Sequence, residues 1–526
     1  MSTDLRYPGA RPFQRGDSGR FFGRDAEAAE LSTLWLRRRL TFISGPAGIG
    51  KTSLLTAGVL PLVNRSDVEL LPIGGFSRGS SSPAAPPGQH TPYTLALLRA
   101  WSGQGTVPGL DPFTVDEFVA RHAQRHDPSV VILAAIDQAD DLFTGPRSRQ
   151  PQRQRFMQEL AAAMEHPALH LLISVRDETL FRFTEALGTG AHVRLEALKP
   201  DLARQAVEGP GCFDQRAARD LVMAIRTSHI VGPGGIERHV VADDVEPALL
   251  QAACARLWEL LYARTRKITP RELRLRGDVN AVLSAYCGAA IAAVANAHDV
   301  PVPWLRSWLI STFVAPAGDR QDANEGQSRT AGLPTTVARA LEDRHLLRAR
   351  AGQSAASRIY RLISDRVIEP LRHAPDDIRP DDDPSGYLLA AERALTVGEL
   401  RLAGRYAELA RVAAPETDLV LHGSARSLLG NIAREEDEPD RAEEHYRAAL
   451  DLFEAAMEYS MVALLLVAIG RTLIERGQLL AGINELHAAA LRRPADTTVQ
   501  TELSAAVQEF SWRLHRGDGP PNISPG

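Results

Sequence analysis

Three kinds of residue are scarce or missing here, and each absence narrows what the chain can be. Only three of 526 residues are cysteine: Cys212, Cys254 and Cys287. Their odd number excludes a complete disulfide framework, and their wide spacing offers no metal-ligand pair. They read as small buried hydrophobes in a reducing compartment. Long apolar runs are missing too. The longest, Met461 to Gly470, is half of the roughly 20 residues a membrane helix needs. The first residues, Met-Ser-Thr-Asp-Leu-Arg, contain no apolar signal region, so a cytoplasmic location without membrane contact is expected. Charge of one sign is also absent, with 60 Lys and Arg against 65 Asp and Glu. Nothing in that balance marks a nucleic-acid or membrane-surface protein. The arginine clusters at Arg37–Arg39, Arg147–Arg155 and Arg264–Arg276 lack interleaved aromatics, so they read as solvated faces rather than nucleic-acid sites.

What is present is ordinary globular material, 44% hydrophobic and 24% charged, enough for three or four domains. Residues 1–20, rich in Pro and Gly, form an extended lead-in. A helical pattern covers 26–39. Leu40-Thr-Phe-Ile-Ser44 is a short buried strand, followed by a glycine loop and a helix from Lys51 to about Val63. Val130–Ile136 and Leu169–Val175 are near-continuously apolar, as strands of a parallel sheet covered on both faces should be. The α/β pattern ends near Pro200. Residues 201–300 read as a helical domain and 301–374 as a second, winged-helix domain, with Gly318–Gly332 as a mobile loop. The acidic, proline-bearing stretch 375–385 is a linker. From 386 to 512 the chain is rich in Ala and Leu, and 513–526 is a disordered tail. The stretch 386–512 repeats weakly. Leu429-Gly430 precedes Ala442, Tyr446 and Ala449-Leu450, whereas Ile469-Gly470 precedes Ala481, Leu486, Ala490-Leu491 and Pro494. Small residues let paired helices approach closely, as in tetratricopeptide repeats.

Two motifs carry the chemistry. Gly45-Pro-Ala-Gly48-Ile-Gly50-Lys51-Thr52-Ser53 matches G-x-x-x-x-G-K-[ST] in full and sits between a strand and a helix. Its glycines let the backbone curl so that N–H groups face phosphate oxygens, and the helix N-terminus adds positive potential. Lys51 reaches the β- and γ-phosphates and the Thr52 hydroxyl ligates Mg²⁺. The second motif is the apolar strand to Ile136 followed by Asp137-Gln-Ala-Asp140-Asp141. A carboxylate at a strand end is a Walker B arrangement, so Asp137 is expected to hold Mg²⁺ and Asp140 to orient or deprotonate the attacking water, with Asp141 able to share that role. Arg176 follows the third apolar strand. It either senses a γ-phosphate or pairs with Asp177 or Glu178.

The set resembles the STAND class of signal-transducing NTPases, in particular its bacterial novel-STAND subgroup. The resemblance covers roughly residues 7–372. It rests on Tyr7-Pro-Gly-Ala-Arg-Pro-Phe13, Arg20-Phe-Phe-Gly-Arg-Asp25, Ala57-Gly-Val-Leu-Pro61, Asp137-Gln-Ala-Asp-Asp-Leu-Phe143, Val245–Gln251, Arg256-Leu-Trp-Glu259 and Tyr360–Leu371. It implies an α/β P-loop core with a parallel sheet, then all-α helical and winged-helix domains, then helical repeats. It implies an ATP/ADP switch and slow ATPase rather than a motor, with Arg24 near the nucleotide base or ribose and Pro200 against the base. In the family an ADP-bound closed state is held by the winged-helix domain, ligand binding at C-terminal repeats opens it, and ATP-bound chains oligomerise. A histidine usual in the winged-helix motif, expected to contact the β-phosphate, is Ser364 here, so the resemblance implies a closed ADP state held either less tightly or by another residue such as Arg366. No nuclease, protease or TIR constellation is visible, so the output would go to a separate effector. Two other readings stay open: a DNA-binding transcriptional regulator, and a repeat scaffold with a structural nucleotide site.

Overall fold

The structure is a computed structural model that describes residues 6–9, 11–65, 67–76, 91–102, 114–127, 129–143, 149–231, 237–262, 267–352, 358–374, 384–492, 499–500, 503–504 and 506–508. The linker read at 375–385 lies almost wholly outside these residues, and the tail 513–526 lies entirely outside them. The chain forms two compact units, each assembled from separated stretches. One holds Met1–Leu70, Ser129–Asp140 and Ala168–Asp381. The other holds Leu71–Pro128, Asp141–Pro167 and Asp382–Gly526.

The first unit is built on a five-stranded parallel sheet: β1 (Leu40–Ser44), β2 (Val68–Leu70), β3 (Val131–Ile136), β4 (Leu169–Val175) and β5 (Ala191–Arg194). The order is β2-β3-β4-β1-β5, and every neighbouring pair is parallel. Every residue of β1 is buried, as is nearly all of β3 and β4, which is why these three read as unbroken apolar runs. The edge strands β2 and β5 have one neighbour each and a half-polar sequence, so no apolar run announces them. Because β4 lies between β1 and β3, the loop after β4 emerges between the glycine loop and the Asp137 segment.

Beyond the sheet, one core joins the helices Pro200–Glu208, Gln215–Arg226, Pro247–Tyr262, Pro270–Arg276, Val279–His298 and Val302–Phe313. Tyr7 of the lead-in is buried in this core. It donates its hydroxyl to the Val207 carbonyl at 2.6 Å and meets Phe213 edge-on, so the lead-in is anchored rather than loose. All three cysteines are free and buried. Helix Val279–His298 is long and apolar enough to cross a membrane by length and composition, although Asn280, Ser284 and Asn296 interrupt its apolar run. Its most apolar window is 61% buried in the core, as expected for a central helix of a folded domain.

Two departures from the helical reading of 201–374 stand out. Thr227–Val231 and Glu237–Val241 form an antiparallel hairpin. Gly318–Gly332, read as a mobile loop, carries strands Ala323–Asn324 and Arg329–Thr330, and Thr330 is fully buried. These strands are two residues long, too short for alternation to show. Ala323 pairs with Tyr360 and Asn324 with Ile359, extending the hairpin of Leu347–Ala351 and Arg358–Leu362. These strands, with helices Val302–Phe313 and Thr335–Asp343, make up the segment expected to be a winged-helix domain.

The second unit joins three helix pairs to the helices Pro92–Trp101, Val115–Ala123 and Gln150–Ala163. The pairs are Pro384–Val397 with Leu400–Ala413, Leu419–Glu435 with Pro439–Ala455, and Tyr459–Glu475 with Leu479–Arg492. Small residues set the spacing within pairs. A Cβ on Gly430 would lie 2.5 Å from the buried ring of Tyr446, and one on Gly482 would lie 2.6 Å from the Gly470 carbonyl oxygen. Each turn after Leu395, Arg434, Glu454 and Ile474 uses the same closure. A left-handed residue (Gly398, Asp437, Met457, Gly477) donates to the carbonyl three back, and its successor donates to the one five back. Only two of those four are glycines, which blurs the repeat in the sequence. Arg393 makes a two-pronged pair with Asp141 at 2.8 and 2.7 Å, and Thr396 donates to the Phe76 carbonyl at 2.6 Å. The first helix pair is thus part of the same packed body as residues 71–167 of that unit.

Candidate nucleotide site

The glycine loop runs from β1 into a helix over Lys51–Val63 with a π-helical stretch at Leu54–Val59. Gly45, Gly48 and Gly50 have φ of +147°, +74° and +100°, values that L side chains rarely adopt, and this is what bends the loop back over the helix N-terminus. Lys51 lies along the loop, its Nζ donating to the Gly45 carbonyl at 2.6 Å and the Pro46 carbonyl at 3.0 Å. Burial pulls its pKa down. Asp140 opposes that, Arg176 adds to it, and Asp137 opposes it again.

Thr52 donates its hydroxyl to Asp137 Oδ2 at 2.7 Å. The other carboxylate oxygen, Oδ1, is buried and has no hydrogen-bond partner among the described residues. A buried, unpaired carboxylate oxygen beside a threonine hydroxyl is costly unless a cation completes it. The donor set is all oxygen, the chemistry Mg²⁺ prefers. The residues present therefore fit a nucleotide with its divalent ion: glycine-loop N–H groups and Lys51 for phosphates, Thr52 and Asp137 for the metal.

Arg176, at the end of β4, does not pair with Asp177 or Glu178. Its Nε lies 3.0 Å from Asp140, and its two terminal nitrogens lie 2.7 Å from Glu342 and 2.7 Å from Asp343 at the end of the winged-helix helix Thr335–Asp343. Burial alone would lower its pKa, but Glu342, Asp140, Asp343 and Glu178 together hold it well above the usual arginine value. Glu342, only 1% exposed, also receives Arg358 at 2.6 Å, and Arg358 reaches Glu178 at 2.9 Å. Burial raises the Glu178 pKa, against the pull of Arg358. Asp177 is engaged elsewhere, by the Ser44 hydroxyl at 2.7 Å and Arg194 at 2.9 Å.

One residue at the site gives no motif signal: His345. It follows the same winged-helix helix, with φ of +58°. A Cβ on Gly48 would lie 2.8 Å from its Nδ1, so the imidazole rests directly on the glycine loop. That Nδ1 is buried with no partner among the described residues. Burial pushes the His345 pKa down to about 4; Asp343 opposes this, while Arg176, Lys51 and Arg344 add to it.

The remaining candidates are engaged with the chain itself. Arg24 donates to the Ile49 carbonyl at 3.3 Å and the Glu196 carbonyl at 2.6 Å, bracing the loop against the segment after β5, and pairs with Glu27 at 2.7 Å. The Ser53 hydroxyl accepts the Phe13 N–H at 3.2 Å, which ties the lead-in to the loop helix. Pro200 is the first residue of helix Pro200–Glu208, after the bridge between Leu198 and Val245. The Asp141 carboxylate is held by Arg393. Ser364 caps a short helix, accepting the Arg366 N–H at 3.2 Å. Arg366 donates through Nε to the Ala224 carbonyl at 2.8 Å and through Nη2 to Asn280, and its Nη1 is buried with no hydrogen-bond partner among the described residues.

Among solved structures, the fold is similar to the ORC2 protein of Aeropyrum pernix in ADPNP and ADP complexes, at 15% identity and TM-score 0.34, covering 67% of this chain and 93% of that one. It is also similar to a STAND protein with a tetratricopeptide-repeat sensor from Pyrococcus horikoshii, at 13% identity and TM-score 0.27, covering 98% and 83%. No curated protein matches the sequence. The family described as Novel STAND NTPase 1 matches residues 7–362, more than half of the chain and all of the site described above. The chain belongs to the Novel STAND NTPase 1 family of P-loop NTPases.

Proposed function

We propose that this protein is a cytoplasmic ATP/ADP-dependent signalling switch. The helix pairs of 386–512 sense a ligand or protein partner, and the signal passes to an effector encoded as a separate chain. The observation that carries the reading is the pairing of Arg176 with Glu342 and Asp343. A cation at the phosphate end of the sheet is held by the winged-helix domain, the domain expected to keep a closed state closed.

In this reading Lys51 and the glycine-loop N–H groups take the phosphates, and Thr52 and Asp137 hold Mg²⁺, which when bound neutralises phosphate charge. Asp140 orients the attacking water. Its carboxylate is also within 3.0 Å of Arg176, so hydrolysis is slow while that pair persists. A γ-phosphate competes with Glu342 and Asp343 for Arg176, and the open, triphosphate-bound chain self-associates. Only a nucleotide that binds the two conformations with different affinity can drive such a change.

The test is light scattering of the full-length protein with Mg²⁺ and either ADP or a non-hydrolysable ATP analogue. The expected result is a larger species with the analogue only. The same size in both nucleotides would contradict the switch and leave a scaffold with a structural nucleotide site.

A further inference from the structure

We propose that Glu342 and Asp343 set the site's discrimination between nucleoside diphosphate and triphosphate. The inference rests on the reading of Arg176 as the γ-phosphate contact. Arg176 has three carboxylates around it. Asp140 belongs to the NTPase core, but Glu342 and Asp343 arrive from the winged-helix domain on the last turn of one helix. A guanidinium has a limited fork of donors, and charge-assisted bonds to carboxylate and to phosphate use the same ones. While both winged-helix carboxylates are bound, all three guanidinium nitrogens of Arg176 contact a carboxylate and its charge is compensated before any phosphate arrives. The two anions also place negative charge where a third phosphate would add more.

The same segment reinforces this at a second point. Two residues beyond Asp343, His345 rests on Gly48 with a buried, unpartnered Nδ1. Arg176 and the glycine loop are thus both covered by residues 342–345. A diphosphate needs Lys51 and the loop but not Arg176. A triphosphate competes for Arg176 with two carboxylates. Glu342 is stabilised independently by Arg358, whereas the Asp343 side chain is 42% exposed. Asp343 is therefore the residue to change first, because its loss leaves the buried Glu342–Arg358 pair intact.

Calorimetric titration of full-length protein with ADP and with a non-hydrolysable ATP analogue, both with Mg²⁺, tests the proposal. Asp343→Asn should raise the ratio of triphosphate to diphosphate affinity by about tenfold, the value of one charge-assisted hydrogen bond. Glu342→Gln should raise it further if the variant folds. Arg176→Ala should lose the effect, so that Asp343→Asn in its background changes the ratio less than twofold. An unchanged ratio in Asp343→Asn, with both nucleotides still binding, overturns the proposal and leaves the nucleotide site standing. Failure of wild-type protein to bind either nucleotide overturns the reading beneath it.

Discussion

The winged-helix contact with the nucleotide site and the helix pairs of the second unit use the same residue types to opposite ends. Around Arg176, charged groups are buried and joined across long stretches of sequence: Asp140 and Arg176 meet Glu342 and Asp343, and Glu178 meets Arg358. In the helix pairs the buried positions are mostly apolar, with small residues at the closest approaches, such as Gly430 against Tyr446. Many of the charges there lie outside in pairs such as Arg441–Glu438 and Arg411–Glu408, each three residues apart on one helix or its cap. Exposed pairs contribute about 0–1 kcal/mol and set no conformation. Removing one partner of a buried cluster costs about 3–5 kcal/mol and leaves an uncompensated charge. In the proposed switch, a phosphate replaces a carboxylate at Arg176 in the first region. In the second region the spacing of the helices follows from close packing.

Acid should separate the two regions most clearly. His345 has a folded pKa of about 4 against roughly 6.5 when unfolded. The unfolded chain binds a proton that the folded chain refuses between those values, so stability conferred by the neutral imidazole is complete above about pH 6.5 and is lost as pH falls towards 4. The loss amounts to about 3 kcal/mol at about 1.4 kcal/mol per pKa unit. His345→Gln should flatten the fall in the melting temperature of the nucleotide-binding unit across that window. An identical acid slope in the variant would mean that the imidazole is not enclosed against Gly48.

Gly430→Ala should act on the other region, at every pH. Its new methyl meets the Tyr446 ring, whose hydroxyl is itself fixed to Asn431 at 2.8 Å, so the helix pair must spread. The expected cost is about 1–3 kcal/mol, read as a lower melting temperature of the helical unit with nucleotide affinity unchanged. Arg441→Ala on the same helix pair should change the melting temperature least, by less than about 0.5 kcal/mol equivalent. A larger effect from Arg441 than from Gly430 would reverse the account of what holds the helix pairs together.

The division between legible and illegible features follows the same line. The glycine loop, Lys51, Thr52 and the β3–Asp137 junction were readable because each is a contiguous pattern with one local meaning. The small residues at Gly430 and Gly470 were readable for the same reason, as helix-pair spacing. Glu342, Asp343 and His345 were not, because their significance lies in meeting Arg176 and Gly48 from far along the chain, and a Glu-Asp-Arg-His stretch by itself reads as a solvated helix end. The engagement of Asp141 by Arg393 was hidden likewise. The helix pairs share a compact unit with Leu71–Pro128 and Asp141–Pro167, so deleting them would also uncover Phe76 and its neighbours. Point substitutions in the intact chain are the cleaner probe.

The central claim is that the glycine loop, Lys51, Thr52 and Asp137 form a working nucleotide site. Calorimetric titration of ADP with Mg²⁺ into wild-type protein, Lys51→Ala and Asp137→Asn tests it most directly. The account predicts saturable binding at one site in wild type, no measurable binding in Lys51→Ala, and binding that no longer depends on Mg²⁺ in Asp137→Asn. Unchanged ADP affinity in Lys51→Ala would contradict it.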